Sequence, residues 1–339
     1  MSLSEAPAPA AVGWRSESLD ALRERAEQGE TVAMARLGQR LLIGCNAPLE
    51  PQQALQLLGA AMERGDAEAT AQMATIAAAG AHRAQDWPEA LDLLQLAAER
   101  GSQRAQGQLR LLAQDRELAD SIANDDPQAW KALRGSVDVA AWRLAPPRQP
   151  LCEAPRIRFT EGFTRPEICD WLVQSARGRL KPARMFDGNR PSFAATRNNS
   201  DYHFDIVDAD LVLLLVRERV SALVRLPVVA MEVPQIFHYT QGQEIKAHFD
   251  HVRAAGGYAA ERIATLLLYL NDDYEGGELE FPKVGLRRRG RKGDAIYFAN
   301  VDAAGAPDPL SLHAALPVTR GEKWIFSQWI QDRTFGSAA

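Results

Sequence analysis

Residues 239–250 read YTQGQEIKAHFD, and the last three, His248, Phe249 and Asp250, frame what lies around them. In a β-strand, side chains two apart share a face. A strand here sets the His248 imidazole beside the Asp250 carboxylate and turns Phe249 away. Such a pair is two thirds of the 2-His-1-carboxylate set that holds a non-haem ferrous ion and leaves positions open. Alone, an HxD pair is commonplace. It gains meaning only with a second histidine and an anchor for whatever shares the metal.

Downstream and just upstream, nearly everything reads as strand and turn: 228–239, 247–252, 263–270, 279–281, 294–298, 311–316 and 323–330. Short strands separated by turns predict a closed or sandwiched β architecture. His313 falls in one of these strands, with Ser311 and Ala315 on its face, and small neighbours leave room for a metal. Lys323 lies ten residues on, in GEKWIF (321–326). Along that strand Lys323, Ile325 and Ser327 share one face, and Trp324, Phe326 and Gln328 the other. A lysine facing a barrel interior is costly unless it meets a counter-charge. The neighbouring strands offer no obvious acid; a bound carboxylate would serve.

With these residues in place, 237–331 resembles the catalytic core of the iron(II)- and 2-oxoglutarate-dependent dioxygenases, in the prolyl 4-hydroxylase branch. The matching text is YTQGQ from Tyr239, His248-x-Asp250, TLLLYLN from Thr265, GGEL from Gly276, GDA from Gly293, and His313 with Lys323 ten places later. The resemblance implies a double-stranded β-helix, or jelly roll. It implies that His248, Asp250 and His313 are the catalytic ligands of Fe(II). Lys323 would hold the distal carboxylate of 2-oxoglutarate, and Tyr239 and Thr265 would line the same pocket. Dioxygen is the further co-substrate and ascorbate a candidate reductant. The implied reaction is oxidative decarboxylation of 2-oxoglutarate to succinate and carbon dioxide, coupled to hydroxylation of an unactivated C–H bond. One departure bears on the substrate. Ile245 and Ala247 stand where many prolyl hydroxylases carry a tyrosine and a proline beside the metal.

The N-terminal third has a different texture. Gly29, Gly65 and Gly101 recur at a constant offset of 36 residues, each after a Glu-Gln or Glu-Arg pair, and Ala33, Ala69 and Ala105 each follow four places later. Ala54-Leu55 and Ala90-Leu91 repeat at the same offset. Small residues at fixed places let paired helices approach, and the glycine suits a helix C′ position. The period reads as a helix-turn-helix solenoid and resembles the Sel1-like branch of the tetratricopeptide (TPR) repeats; a generic alanine-rich bundle is the plain alternative. The solenoid implies a protein or peptide partner, recruited through the repeats. The fold class is therefore α+β multidomain: a disordered N-terminus over 1–15, helical repeats over 16–120, a linker over 121–154 containing Pro146, Pro147 and Pro150, and the dioxygenase domain over 155–335 with flanking helices, one of them near 208–224. The stretch 184–200 reads as an irregular loop, and Arg197 and Tyr202 are candidates to cover a substrate.

Bulk properties narrow the function classes. The formal charge of -5 gives no basic field, so nucleic acid is not indicated. Cys45, Cys152 and Cys169 are scattered, without a CxxC, as expected of free thiols in a reducing compartment. The start, MSLSEAPAPAAVGW, has neither a basic nor an apolar signal region, and no run is long enough to span a membrane, so the cytoplasm is the expected location. His251 should face away from Asp250, His238 and His203 read as structural or surface residues, and His82 as solvated. The run RRRGRK (287–292) reads as a charged hairpin loop. Two further functions stay open from sequence: an oxygenase of a free small molecule, and a repeat-protein adaptor without catalysis.

Overall fold

Each repeat glycine closes a helix in the same way. The computed structural model describes residues 15–122, 126–183, 185–187, 190–192, 197–251 and 261–332. Gly29, Gly65 and Gly101 adopt φ of +86°, +92° and +91°, a region where a side chain is strained. In all three the next two amides turn back onto the helix: Gly29 to Ala26 and Glu30 to Arg25, Gly65 to Met62 and Asp66 to Ala61, Gly101 to Ala98 and Ser102 to Ala97. The helices so delimited are α1 (Leu19–Glu27), α2 (Thr31–Ile43), α3 (Pro51–Glu63), α4 (Ala67–Ala79), α5 (Trp87–Glu99) and α6 (Gln103–Leu112). Asp66 and Ser102 cap α4 and α6 by accepting from the amides of Ala69 and Ala105. The recurring alanines 33, 54, 69, 90 and 105 have no exposed surface, so the small side chains sit where helices meet.

The chain divides into two compact units. One holds the residues up to Trp142 together with Phe204–Val216. The other holds Arg143–His203 and Arg217 onward. The contiguous domain expected over 155–335 is therefore interrupted: its residues 204–216 pack with the helical repeats. The helix Leu211–Val224 begins in the first unit and continues in the second.

The second unit is built on two antiparallel sheets. The larger runs Gln149–Cys152, Ile157–Thr160, Ala295–Ala299, Arg262–Tyr269, Lys323–Gln331, Gln235–Tyr239, Ser200–His203 and Lys181–Pro182. The smaller runs Leu286–Arg288, Leu279–Phe281, His313–Ala315 and Ile245–His248. Phe159, Phe237, Tyr239, Tyr269, Phe298 and Ile325 from the first pack with Ile245, Leu279, Phe281 and Ala315 from the second in one apolar core. This is the sandwiched β architecture expected from the strand pattern and the jelly roll that the resemblance implies, and its interior holds the site.

Several local expectations differ from the structure. Val228–Ala230 is a 3-10 turn, and the strand begins only at Gln235. Pro309–Ser311 is also a 3-10 turn, so Ser311 precedes the His313 strand. Residues 1–14 of the expected disordered terminus lie outside the described residues, as do 184, 188–189 and 193–196 of the expected 184–200 loop. Among the described residues, no helix is long and apolar enough to cross a membrane.

Candidate active site

Strand pairing brings the two histidines together. The strands Ile245–His248 and His313–Ala315 run antiparallel with His313 directly opposite His248, and their rings lie 4.3 Å apart between centroids. Asp250 reaches them differently from the sequence reading. The strand ends at His248, and Asp250 lies in the irregular segment beyond it. Phe249 is nonetheless turned out, 48% exposed, while Asp250 is 6% exposed. The Nε2 atoms of His248 and His313 each stand 3.6 Å from a different Asp250 oxygen. One ligand atom from each residue lies within 4.8 Å of the other two.

Every member of this triad is oriented by a second contact. His248 Nδ1 is 2.9 Å from the Lys246 carbonyl, and His313 Nδ1 is 2.9 Å from the Ser311 carbonyl. A carbonyl only accepts, so Nδ1 carries the proton in both rings and Nε2 presents a lone pair inward. The Thr265 hydroxyl donates to Asp250 Oδ2 at 2.7 Å, and Asn300 Nδ2 donates to Thr265 Oγ1 at 3.1 Å. Phe298 and Phe281 wall His313, with ring centroids 4.7 and 5.7 Å away. Burial pushes His313 down to about 4, partly opposed by Asp250. It also opposes charge on His248, but the adjacent Asp250 carboxylate and the Lys246 carbonyl together outweigh it and raise that pKa. Against its own burial, Asp250 is held well below the usual carboxylate range by His313, His248 and Thr265. Two neutral imidazoles and an ionised carboxylate form the ligating state of such a triad.

Lys323 is finished less completely. It is 3% exposed, lies opposite Tyr239 in the strand pair, and its Nζ stands 4.9 Å from the Tyr239 ring centroid. The ammonium donates to the Gly277 carbonyl at 2.6 Å. Among the described residues no carboxylate pairs with it, and burial pushes its pKa down to about 7, with Glu278 acting the other way. Burial raises the Tyr239 phenol, so it remains a neutral donor. Ser327 Oγ and Trp329 Nε1 lie on the same strand face as Lys323, and like Asn300 Oδ1 they are buried without a hydrogen-bond partner among the described residues.

These donors fit the groups expected from sequence. A nitrogen-nitrogen-oxygen face suits ferrous iron. A buried ammonium near a phenol, with no counter-ion among the described residues, suits the far carboxylate of a 2-oxo diacid. Thr265, expected to line the co-substrate pocket, touches the metal side of it. It lies opposite Trp329, six residues along the strand from Lys323, and its hydroxyl serves Asp250. Sequence reasoning missed Asn300 and Trp329; neither belongs to a motif, and only strand register brings them in. Arg197, whose backbone bridges to Ile245, donates to Asn199 Oδ1 and Asp201 Oδ2 and lies over Phe237. The hydroxyl of Tyr202 accepts from Arg179. A cavity of about 270 Å³ is lined by Phe249, His251, Asn300, Pro307, Asp308 and Pro309.

A jelly roll with an inward His/Asp/His face and a buried lysine defines a metal-dependent oxygenase that uses a carboxylate co-substrate. Residues 234–331 match the family described as the 2OG-Fe(II) oxygenase superfamily. Over 199 residues the chain is 31% identical to prolyl 4-hydroxylase 13 of Arabidopsis thaliana, covering 53% of this chain and 73% of that protein. A viral collagen prolyl hydroxylase from Paramecium Bursaria Chlorella virus-1, in complex with 2OG, is similar at 25% identity and a TM-score of 0.44, covering 53% of this chain and 98% of that one. A Sel1 repeat protein from Oxalobacter formigenes is similar at 22% identity and a TM-score of 0.28, over 38% of this chain and 53% of that one. The chain belongs to the 2OG-Fe(II) oxygenase superfamily. It is an iron- and 2-oxoglutarate-dependent hydroxylase.

Proposed function

We propose that this hydroxylase acts on a prolyl residue within a protein or peptide chain. The observation that carries the chemistry is the convergence of His248, Asp250 and His313, with ligand atoms within 4.8 Å of one another. The prolyl assignment is supported by the likeness to the plant prolyl 4-hydroxylase over most of that protein's length. The chemistry supplied when iron and 2-oxoglutarate are bound is oxidative decarboxylation to succinate and carbon dioxide, coupled to hydroxylation of a C–H bond.

The protein's own residues set the stage for it. Lys323, with Gly277 fixing its amine, takes the far carboxylate of the co-substrate. Thr265 and Asn300 hold Asp250, and Phe281 and Phe298 keep water from the His313 side. The cavity beside Asp250 offers the half-exposed Phe249 ring and two prolines, an apolar rim suited to a peptide. Recruitment of that protein by the helical repeats belongs to the same proposal. The test is succinate release with proline-containing peptides, followed by mass spectrometry of the peptide. Succinate should rise in step with a gain of one oxygen on proline. Succinate driven by free amino acids, with no oxidised peptide, would overturn the prolyl reading in favour of a small-molecule oxygenase.

A further inference from the structure

The repeats hold a downstream segment of their own chain. Gln72 on α4 and Gln108 on α6 are the same repeat position, three residues beyond Ala69 and Ala105 and 36 residues apart. Both grip the backbone of one segment. Gln72 Nε2 donates to the Ile206 carbonyl at 3.0 Å, and Gln108 Oε1 accepts from the Leu211 amide at 2.8 Å. Gln39 on α2 donates to Gln72 Oε1 at 3.4 Å, which leaves the Gln72 amide nitrogen for Ile206.

The segment is acidic and its charges are met. Arg15 donates to Asp205 and Asp208 at 3.1 and 2.7 Å. Arg104 donates to the Asp208 carbonyl at 2.8 Å and to Asp210 Oδ2 at 3.1 Å. Between them Val207 is buried in the core of α1 to α4, with Leu22, Met34, Leu58 and Ile76. An Asp205-headed turn shapes the segment, since Asp205 Oδ1 accepts from the amides of Val207 and Asp208.

We propose that the face formed by α2, α4 and α6 is a binding site for a short acidic turn, and that its resident ligand is the chain's own Asp205–Leu211. The repeated glutamines read backbone, the arginines read carboxylates, and Val207 is the apolar anchor. Tethering gives the resident segment an effective concentration of about millimolar. A partner of the same chemistry must therefore displace it, and recruitment through the repeats has to use another face or open this one. The segment leads directly into the helix Leu211–Val224, whose first six residues, Leu211–Val216, are all buried. The clamp thus fixes the start of a helix that a solvent-exposed surface would not tolerate.

Hydrogen–deuterium exchange on the full chain tests this without iron or substrate. The Gln72→Ala/Gln108→Ala double variant should speed exchange of the amides in 205–211 about tenfold, the loss expected for buried hydrogen bonds. Gln72→Ala alone removes one bond. It should give a smaller rise confined to 206–208, with α3 and α5 as protected as in wild type. If the double variant loses protection throughout the array, the single variant decides. Unchanged exchange of 205–211 in a variant whose helices stay protected would overturn the proposal.

Discussion

The two ends of the barrel interior are finished differently. At the metal end every side chain has a second partner: carbonyls for the His248 and His313 rings, and Thr265 with Asn300 behind Asp250. At the lysine end a buried ammonium has one carbonyl and, among the described residues, no paired carboxylate. The first is preorganised for its ion before the ion arrives. The second is held in an unfavourable state that only an incoming carboxylate relieves. One interior therefore contains a stable socket and a strained one, and substitutions should separate them.

The largest effect belongs to the socket. His313→Ala should lower turnover by at least about 1,000-fold, measured as succinate release, because the ligand set loses a face-defining member. A variant with more than a tenth of wild-type turnover would break the contrast. Next comes Lys323→Met. Losing one partner of a buried pair costs about 3–5 kcal/mol, or roughly 100- to 5,000-fold in the Kd for 2-oxoglutarate. The same change removes an unpaired buried charge, so the ligand-free protein should gain about 1–4 kcal/mol of stability and a higher Tm. A lower Tm would mean that Lys323 is not strained.

The pH dependence of co-substrate affinity follows from the same lysine. Its pKa in the ligand-free protein is about 7, below its ordinary value of 10.5. The ammonium is the form that binds a carboxylate. Affinity should therefore be full below pH about 7 and weaken about tenfold per unit above it, roughly 100-fold by pH 9. Calorimetric titration across pH 6–9 measures this, and Lys323→Met should abolish the slope. The smallest effect is at the support of the socket. Thr265→Val keeps shape but removes the donor to Asp250, and should weaken iron binding by about 10- to 100-fold while leaving 2-oxoglutarate affinity at saturating iron nearly unchanged. An equal loss of both would show that the two ends are not separate.

Much of this site was legible in the sequence, for identifiable reasons. His248, Asp250, His313 and Lys323 announce themselves by chemical type, because a metal and a buried carboxylate restrict what those positions can be. Their surroundings do not. The family resemblance alone put Thr265 in the co-substrate pocket, without saying what its hydroxyl touches. Its register against Trp329 gives the hydroxyl to Asp250. Asn300 has no motif at all, and reaches the site only because Ala295–Ala299 pairs with Arg262–Tyr269. The alternation rule set Asp250 beside His248, yet the chain leaves the strand between them. The repeats were readable from a 36-residue period. That an acidic turn 103 to 134 residues beyond the glutamines packs among them was not, since those glutamines look like ordinary polar positions on a helix.

The central claim is that His248, Asp250 and His313 form one iron site, with Lys323 as the anchor of its co-substrate. An anaerobic Fe(II) titration by calorimetry, repeated after addition of 2-oxoglutarate, tests it most directly. Wild type should bind one ferrous ion per chain and then one 2-oxoglutarate, His313→Ala should lose the first, and Lys323→Met should keep the first and lose the second. Equal, negligible iron binding by wild type and His313→Ala would contradict the account.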